Sequence, residues 1–282
     1  KIADHLGTNH TELILSAADA KNIIPMIPSI YDEPFADSSQ IPTYLVSKLA
    51  RNDVKVALTG DGADEILCGY NRYRVSNKLW SKYNKIPYCL RKVGSQTIST
   101  IPAGVLNSLH KVFPMKNKSN NFSDRVFKGG RLLKAKNIDQ FYLEFISYWN
   151  DPEALVINSK EPKTILNSNH EGTHKMSNIE RMMYLDLLSY LPGDILTKVD
   201  RASMAVSLET RLPYMDHRLI EYAWSLPNKY KYKNGQTKWV LKEVLNKYIP
   251  KKLYDRPKQG FGIPINEWLK GSLREWAEEL LN

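Results

Sequence analysis

The chain has 282 residues, of which 42% are hydrophobic and 25% charged. This is an ordinary globular composition, long enough for one large domain or two small ones. The formal net charge is +10, but Lys and Arg nowhere form a run of five or six, which argues against a nucleic-acid partner. No apolar run approaches the ~18 residues of a membrane-spanning helix. Two cysteines, Cys68 and Cys89, provide no disulfide framework, so we expect a cytoplasmic protein without a membrane partner.

The first part of the chain alternates predicted strands and helices. Residues 11–15 predict a short strand, and residues 22–30 predict a helix interrupted by prolines. A second helix follows the candidate caps Ser38 and Ser39, and residues 54–58 predict a buried strand. This order predicts an α/β fold with a parallel sheet, in which ligands bind beyond the carboxyl ends of the strands.

The second part of the chain is predicted to be mainly helical. Residues 114–137 form a polar stretch rich in Lys and Asn that predicts a mobile excursion. Helical patterns then occupy residues 138–149, 179–190, 195–208, 217–224, 238–248 and 266–281. We therefore divide the chain into a partial α/β region (1–75), a variable and partly helical insertion (76–177) and a helical remainder (178–282).

An acidic glycine loop, Thr59-Gly60-Asp61-Gly62-Ala63-Asp64-Glu65, follows the predicted strand 54–58 directly. Its two glycines allow a tight turn and a close approach of a ligand. If a helix begins at the loop, Asp61, Asp64 and Glu65 stand at i, i+3 and i+4 and share one face. Mg²⁺ would relieve the repulsion between these carboxylates, and it usually shares its oxygen ligands with substrate phosphates. The alternative is a solvated turn whose acidic residues favour a helix N-terminus.

Basic residues in two later segments are candidates for phosphate binding. Lys238 falls at the start of the predicted helix 238–248, where a cation opposes the helix dipole. A phosphate bound there would reverse this penalty. Arg256 and Lys258 lie in a basic loop that could close over phosphates. The plain alternatives are an exposed lysine and an ordinary surface loop.

One further motif predicts a different chemistry. The run His170-Glu171-Gly172-Thr173-His174 matches the His-Glu-x-x-His pattern of zinc peptidases. That chemistry needs a stable helix that places both imidazoles on one face, and Gly172 interrupts the pattern. A zinc peptidase is therefore the minor hypothesis, beside a non-enzymatic binding module in which the acidic loop is only a turn.

Several blocks of the sequence together resemble the asparagine synthetase family and cover about half of the chain in the family's order. They are Asp32–Ser39, Thr59–Glu65 with Gly69-Tyr70, Asp200–Met204, Glu209–Pro213 with Asp216, Asn234–Lys238 and Arg256–Phe261. The resemblance implies a C-terminal synthetase domain with a truncated ATP-pyrophosphatase fold, of the adenine nucleotide alpha hydrolase type, and a predominantly helical second half.

The resemblance also implies a function, an ATP-dependent amidotransferase that activates a carboxylate as an acyl-adenylate and combines it with ammonia from glutamine. Aspartate is the expected acceptor, although relatives amidate sugar acids. Asp61 would help to form the adenylate, Asp64 would bind Mg²⁺ and Lys238 would stabilise the transition state and pyrophosphate. The residues expected to contact ATP are Thr59, Gly60, Asp61, Gly62, Lys238, Arg256 and Lys258. The related β-lactam synthetases carry a tyrosine at the Asp61 position, so Asp61 favours amide formation.

Other charged residues within these blocks have less certain roles. Asp194 matches a family position near the reacting centre, and we hypothesise that it orients the ammonia or the acceptor. Four more, Asp200, Arg201, Glu209 and Arg211, are either substrate contacts or members of a buried ion-pair network.

Two features of the family are missing from the sequence. It contains no Ser-Gly pair, and therefore no Ser-Gly-Gly-x-Asp-Ser loop to bind the nucleotide, and the cysteine of the N-terminal glutaminase is absent too. We therefore expect the chain to be part of a longer protein and inactive by itself. The expected ligands are small molecules, and a homodimer is left open.

Overall fold

A computed structural model describes residues 1–112, 122–149, 151–168, 173–255 and 260–281. The chain divides into two compact units, of which the first combines residues 1–69 with 190–282 and the second comprises residues 70–189. All strands among the described residues belong to the first unit. The three-part division at residues 1–75, 76–177 and 178–282 stays a prediction based on the sequence pattern.

Helices account for most of the regular structure in both units. In chain order they are α1 Ile2–Leu6, α2 Ala17–Ile23, α3 Ile27–Tyr31, α4 Gln40–Arg51, α5 Ala63–Ile66, α6 Asn71–Tyr83, α7 Tyr88–Thr100, α8 Ala103–Val112, α9 Phe122–Leu132, α10 Ile138–Ile146, α11 Asn178–Leu188, α12 Thr197–Met204, α13 His217–Ser225, α14 Asn228–Lys231, α15 Trp239–Leu245, α16 Lys251–Tyr254, α17 Ile265–Lys270 and α18 Arg274–Leu281. Helices α6 to α11 belong to the second unit. No helix among these described residues is both long and apolar enough to cross a membrane.

The first unit contains a small parallel sheet. Strand β1 (Val56–Leu58) pairs with β2 (Glu209–Arg211), and Ala57 lies opposite Thr210. A separate antiparallel pair joins β3 (Tyr232–Lys233) to β4 (Gln236–Thr237). The protein is thus a helix-rich mixed structure with a parallel strand pair, which is compatible with the predicted α/β class. The specific ATP-pyrophosphatase fold stays a prediction.

Two predictions about strands are wrong. Residues 11–15 form neither a strand nor a helix. Strand β1 is not buried, because Val56 is 49% and Leu58 75% exposed. An apolar run indicates which side chains favour burial, but the side chains of a strand are buried only where other elements pack on the faces of its sheet.

The predicted helix at residues 22–30 exists as three successive short segments. Helix α2 passes into a 3₁₀ turn and then into α3, and Pro25 and Pro28 lie in the first turns of the last two segments. Proline is tolerated there because the missing N–H needs no partner in a first turn. These helices pack with α4 and α12 around a core that consists of Ala20, Ile23, Ile30, Tyr31, Ile41, Tyr44 and Ala202.

The core of the second unit surrounds a buried carboxylate. Tyr73, Phe141 and Tyr142 are fully buried, and Asp186 on α11 lies among them with 0% exposure. The hydroxyls of Tyr73 and Tyr142 each donate to Oδ2 of Asp186 at 2.7 Å, and Nη2 of Arg72 donates to the same oxygen at 2.6 Å. These bonds tie α6, α10 and α11 together.

The remaining predicted helices are present, with ends that differ from the predicted bounds. Helix α12 is preceded by a π-helical turn at Leu191–Leu196, and the predicted helix 266–281 is split into α17 and α18 around Gly271. The later part of the predicted mobile excursion forms α9, whereas residues 113–121 lie outside the described part of the chain.

Candidate functional site

The acidic glycine loop leaves the carboxyl end of β1 and turns into α5. The amide of Thr59 donates to the carbonyl of Arg211 at 2.9 Å, which continues the β1–β2 pairing into the loop. Gly62 caps α5 with a φ of 88°, and a Cβ at this position would lie 3.0 Å from Sδ of Met215. Both conditions favour glycine, so Gly62 fixes the turn in the predicted place.

The expectation that three carboxylates share one face is wrong for Glu65. Helix α5 begins at Ala63, so Asp61 precedes the helix and the assumed i, i+3, i+4 register does not apply. Glu65 is fully buried, while the side chain of Asp64 is 23% exposed. No group of three His, Cys, Asp or Glu side chains suited to a metal occurs among the described residues.

Asp64 and Lys238 are brought together, although they lie far apart in the sequence. Nζ of Lys238 lies 3.0 Å from Oδ2 of Asp64, and the two side chains are 25% and 23% exposed. The amide of Lys238 donates to the carbonyl of Leu67 at 3.2 Å. Lys238 is the N-cap of α15 with a φ of 52°, one residue before the helix in which it was predicted to lie. Two predicted site residues therefore form one ion pair.

Gly69 lies directly against this ion pair. It was not predicted as a site residue. Its amide donates to the carbonyl of Asp64 at 2.8 Å. A Cβ at Gly69 would overlap Oδ1 of Asp64 and Cε of Lys238, and it would lie 2.7 Å from Cγ of Asp64. The sequence did contain Gly69-Tyr70 as one of the blocks that resemble the family. A motif does not show, however, which side chains pack against its glycine.

A second charged cluster surrounds Asp37, which the sequence analysis did not propose as a site residue. Nζ of Lys198 lies 2.7 Å from Oδ2 of Asp37, and the amide and hydroxyl of Ser39 donate to the same carboxylate at 2.8 Å. Burial alone would raise the pKa of Asp37, but the hydrogen bonds from Lys198 and Ser39 outweigh it and hold the pKa below its ordinary value. Asp37 therefore stays ionised.

Asp194 and Asp37 both act on the hydroxyl of Tyr31. Burial raises the pKa of Tyr31, and the charges of Asp37 and Asp194 raise it further. The hydroxyl of Tyr31 donates to the backbone carbonyl of Lys198 at 3.2 Å. The proposed role of Asp194 in orienting ammonia stays a prediction.

The predicted buried ion-pair network is instead found at the surface. Arg201 pairs with Asp32 at 2.9 Å, where the side chains are 49% and 71% exposed. Arg211 pairs with Glu209 along β2, and both side chains are at least half exposed. Pairs of this exposure contribute little stability, so they do not pin the helices. Asp200 lines an open cleft of about 400 Å³ between α12 and β2, together with Pro192, Leu196, Thr197, Val199, Thr210 and Leu212.

Several predicted residues lie outside the described part of the chain. Arg256 and Lys258 belong to the undescribed segment 256–259, and His170 belongs to the segment 169–172. His174 is described and lies in a 3₁₀ turn, Thr173–Lys175. The helical face that the zinc peptidase hypothesis requires falls on residues 170–174, of which only Thr173 and His174 are described.

The chain belongs to the asparagine synthase family, since the family model described as asparagine synthase matches residues 1–282. The chain is 30% identical to asparagine synthetase (glutamine-hydrolyzing) 1 of Bacillus subtilis (strain 168), over 98% of this chain and 41% of the relative. It is 31% identical to a putative asparagine synthetase (glutamine-hydrolyzing) of Mycobacterium tuberculosis (strain ATCC 25618 / H37Rv), over 98% of this chain and 40% of the relative. The chain thus spans less than half the length of these relatives.

The chemistry of Asp64 fits the predicted Mg²⁺. This cation demands oxygen ligands, keeps several waters and is held by one or two carboxylates together with substrate phosphates. Asp64 is a partly exposed carboxylate that already contacts a cation, the ammonium of Lys238. A site of this kind needs no cage of three protein ligands.

Proposed function

We propose that the chain forms part of the synthetase site of an ATP-dependent ligase. The enzyme activates a carboxylate, the β-carboxylate of aspartate, as an acyl-adenylate with release of pyrophosphate. Ammonia derived from glutamine then displaces AMP and forms the amide of asparagine. Membership of the asparagine synthase family supports this class of reaction.

The observation that carries the proposal is the ion pair between Asp64, in the acidic glycine loop, and Lys238. Asp64 lies in the first turn of α5, which follows the carboxyl end of a parallel strand, and Lys238 is the N-cap of α15. Ligands of parallel α/β sheets bind beyond such ends. A lysine and a carboxylate at this point offer one group for phosphate oxygens and one for a divalent cation.

Each site residue has a proposed task. Lys238 neutralises charge that develops on the phosphates and on the leaving pyrophosphate. Asp61 helps to form the adenylate, and Asp194 orients the ammonia or the acceptor. The backbone of Thr59-Gly60-Asp61-Gly62 lets ATP approach closely, because glycine has no side chain to obstruct it. Arg256 and Lys258 complete the phosphate contacts.

Asp64 is the proposed ligand of Mg²⁺. When bound, this cation supplies positive charge that offsets the negative charge of the ATP phosphates. Asp64 would offer its carboxylate as an oxygen ligand, and it lies within the acidic glycine loop, three residues after Asp61.

The wider setting is also part of the proposal. We place the enzyme in the cytoplasm and allow for a homodimer. The sequence contains no Ser-Gly-Gly-x-Asp-Ser loop, so the 282 residues by themselves are expected to hold ATP poorly and to release pyrophosphate far below a normal enzymatic rate.

The proposed function is tested with the longest polypeptide encoded by the gene that includes these residues. We expect pyrophosphate release from ATP that depends on aspartate, with asparagine as the product. Asp61→Ala and Lys238→Ala should each lower kcat by about 10²- to 10³-fold, because each removes a group that acts on the reacting atoms.

Charge-matched controls separate this effect from a general change in charge. Asp53→Ala and Lys247→Ala each remove one charge from an exposed residue and should leave the rate within about twofold. Unchanged rates in Asp61→Ala and Lys238→Ala would remove both residues from the mechanism. Release that depends on a sugar acid instead of aspartate would keep the ligase class and replace the acceptor.

A further inference from the structure

The chain itself supplies a cation to the carboxylate of Asp64. Nζ of Lys238 lies 3.0 Å from Oδ2 of Asp64, and roughly three quarters of each side chain is buried, since 25% and 23% remain exposed. Partial burial weakens the screening of this attraction by salt. A divalent cation that binds Asp64 must therefore compete with the ammonium of Lys238 for the same carboxylate.

We propose that Lys238 acts as an internal competitor of the divalent cation, so that Asp64 accepts the metal together with a polyphosphate and not by itself. This inference rests on the proposed function in that it takes Asp64 as the metal ligand. It goes further because it gives Lys238 a second role, the control of when the metal binds.

The charge balance explains why a polyphosphate is needed. A carboxylate with one negative charge cannot balance an ammonium and a divalent cation at contact distance, since the three groups carry a net charge of +2. Phosphate oxygens attract the ammonium and also serve as ligands of Mg²⁺. Their arrival draws Lys238 away from Asp64 and frees the carboxylate for the metal.

The backbone around Lys238 holds the ammonium at Asp64. Lys238 has a left-handed backbone with a φ of 52°, which is uncommon for a residue with a long side chain and persists only where the surroundings impose it. Its amide is fixed by the carbonyl of Leu67 at 3.2 Å. The side chain therefore starts from a constrained position directed at the carboxylate.

Gly69 is a positioning residue for this competition. A Cβ at Gly69 would overlap Oδ1 of Asp64 and Cε of Lys238, so both side chains use the space that the glycine leaves open. Gly69 does not have a left-handed φ, so the requirement for glycine at this position is steric. The two charged groups can meet because this residue has no side chain.

The proposal is tested by measuring Mn²⁺ binding, in the absence of nucleotide, to the longest polypeptide encoded by the gene that includes these residues, with electron paramagnetic resonance detecting the free ion. Mn²⁺ takes the same kind of oxygen ligands as Mg²⁺. Lys238→Met removes the charge and keeps an unbranched side chain, and it should tighten Mn²⁺ binding by about fivefold or more. Lys247→Met makes the same change at an exposed lysine and should alter the affinity by less than about twofold.

Two more variants test whether the tighter Mn²⁺ binding depends on the charge at position 238 and on the carboxylate of Asp64. Lys238→Arg keeps the charge and should bind Mn²⁺ as weakly as the parent chain. The double variant Asp64→Asn with Lys238→Met should lose the gain. If Lys238→Met does not fold, Lys238→Asn replaces it, because asparagine tolerates a left-handed backbone.

The proposal is overturned if the uncharged variants at Lys238 bind Mn²⁺ no more tightly than Lys247→Met. It is also overturned if the gain survives Asp64→Asn, since the metal would then bind elsewhere. The experiment contains neither ATP nor aspartate, so its failure leaves the pyrophosphate assay untouched. Conversely, a failed pyrophosphate assay would refute the proposed ligase activity. The competition between Lys238 and Mn²⁺ for Asp64 could still be measured.

Discussion

The two units each contain an ion pair between a carboxylate and a basic side chain, and the carboxylates of the two pairs differ in burial. Asp186 in the second unit is fully buried, and Arg72, Tyr73 and Tyr142 all donate to one of its oxygens. Asp64 in the first unit is 23% exposed and contacts Lys238.

This difference separates a structural ion pair from an exchangeable one. A buried carboxylate held by several donors is costly to disturb, because each donor would be left without its partner. A carboxylate that still contacts solvent can exchange one cation for another at a lower cost than a fully buried one. The comparison therefore assigns Asp186 to the stability of the second unit and supports Asp64 as a position where ligands change places.

The largest expected effect is the loss of the buried carboxylate. Asp186→Ala should lower the free energy of unfolding by about 3–5 kcal/mol, because it leaves the charge of Arg72 without its partner in a largely buried place. Urea denaturation followed by circular dichroism gives the total loss, and amide hydrogen exchange within residues 70–189 gives its location.

The matched control is Asp64→Ala, the same truncation in the exchangeable pair. It should cost less than the loss of Asp186, because Asp64 and Lys238 both keep some contact with solvent. Equal losses in the two variants would contradict the distinction between the two ion pairs.

The next effect concerns the space at Gly69. Gly69→Ala should destabilise the protein by about 1–3 kcal/mol, because the added methyl group overlaps the side chains of Asp64 and Lys238. Thermal unfolding measures the change. Gly60→Ala lies in the same segment, and a Cβ there meets no atom within 4 Å, so it should change stability by less than about 0.5 kcal/mol. A Gly69→Ala protein as stable as Gly60→Ala would show that the pair does not need this space.

The smallest effect is a dependence of stability on pH at the second charged cluster of the first unit. Burial raises the pKa of Asp37, but the hydrogen bonds from Lys198 and Ser39 lower it to a net value below the ordinary one. A lowered pKa means that the stabilisation is present above about pH 4, the unfolded value, and is lost as the pH falls through the folded value.

Asp37→Asn should therefore flatten the loss of stability below about pH 4, by less than about 1 kcal/mol. Denaturation curves between about pH 3 and 6 measure this slope. Lys198→Met removes the partner and should flatten the slope in the same direction. If both variants keep the slope of the parent chain, other carboxylates are responsible for it.

Local sequence patterns predicted a large part of this structure. The periodicity of apolar residues located α4, α10, α11, α13 and α15 to within a few residues, because a helix of this length shows its buried side every three to four positions. The glycines of Thr59–Glu65 predicted a turn, and Gly62 adopts the φ of 88° that such a turn requires. Lys238 was predicted to lie at a helix start and is the N-cap of α15.

Other predictions failed because they depended on neighbours distant in the sequence. Glu65 was expected beside Asp61 and Asp64, but α5 begins at Ala63 and Glu65 is buried. Residues 54–58 were expected to be buried, but Leu58 is 75% exposed, because side chains on a strand need another element packed on the sheet face to cover them. Local propensity is overruled in both cases by the surroundings of the segment.

The sequence by itself determined the family resemblance, the place of the acidic glycine loop and the candidate role of Lys238, since these depend on residue type and short spacing. Only the tertiary structure decided that Lys238 meets Asp64, that Gly69 makes room for them and that Asp37 pairs with Lys198. The physical reason is that an ion pair depends on the distance between two charges, and for residues far apart in the chain this distance is set by the packing of the elements that carry them.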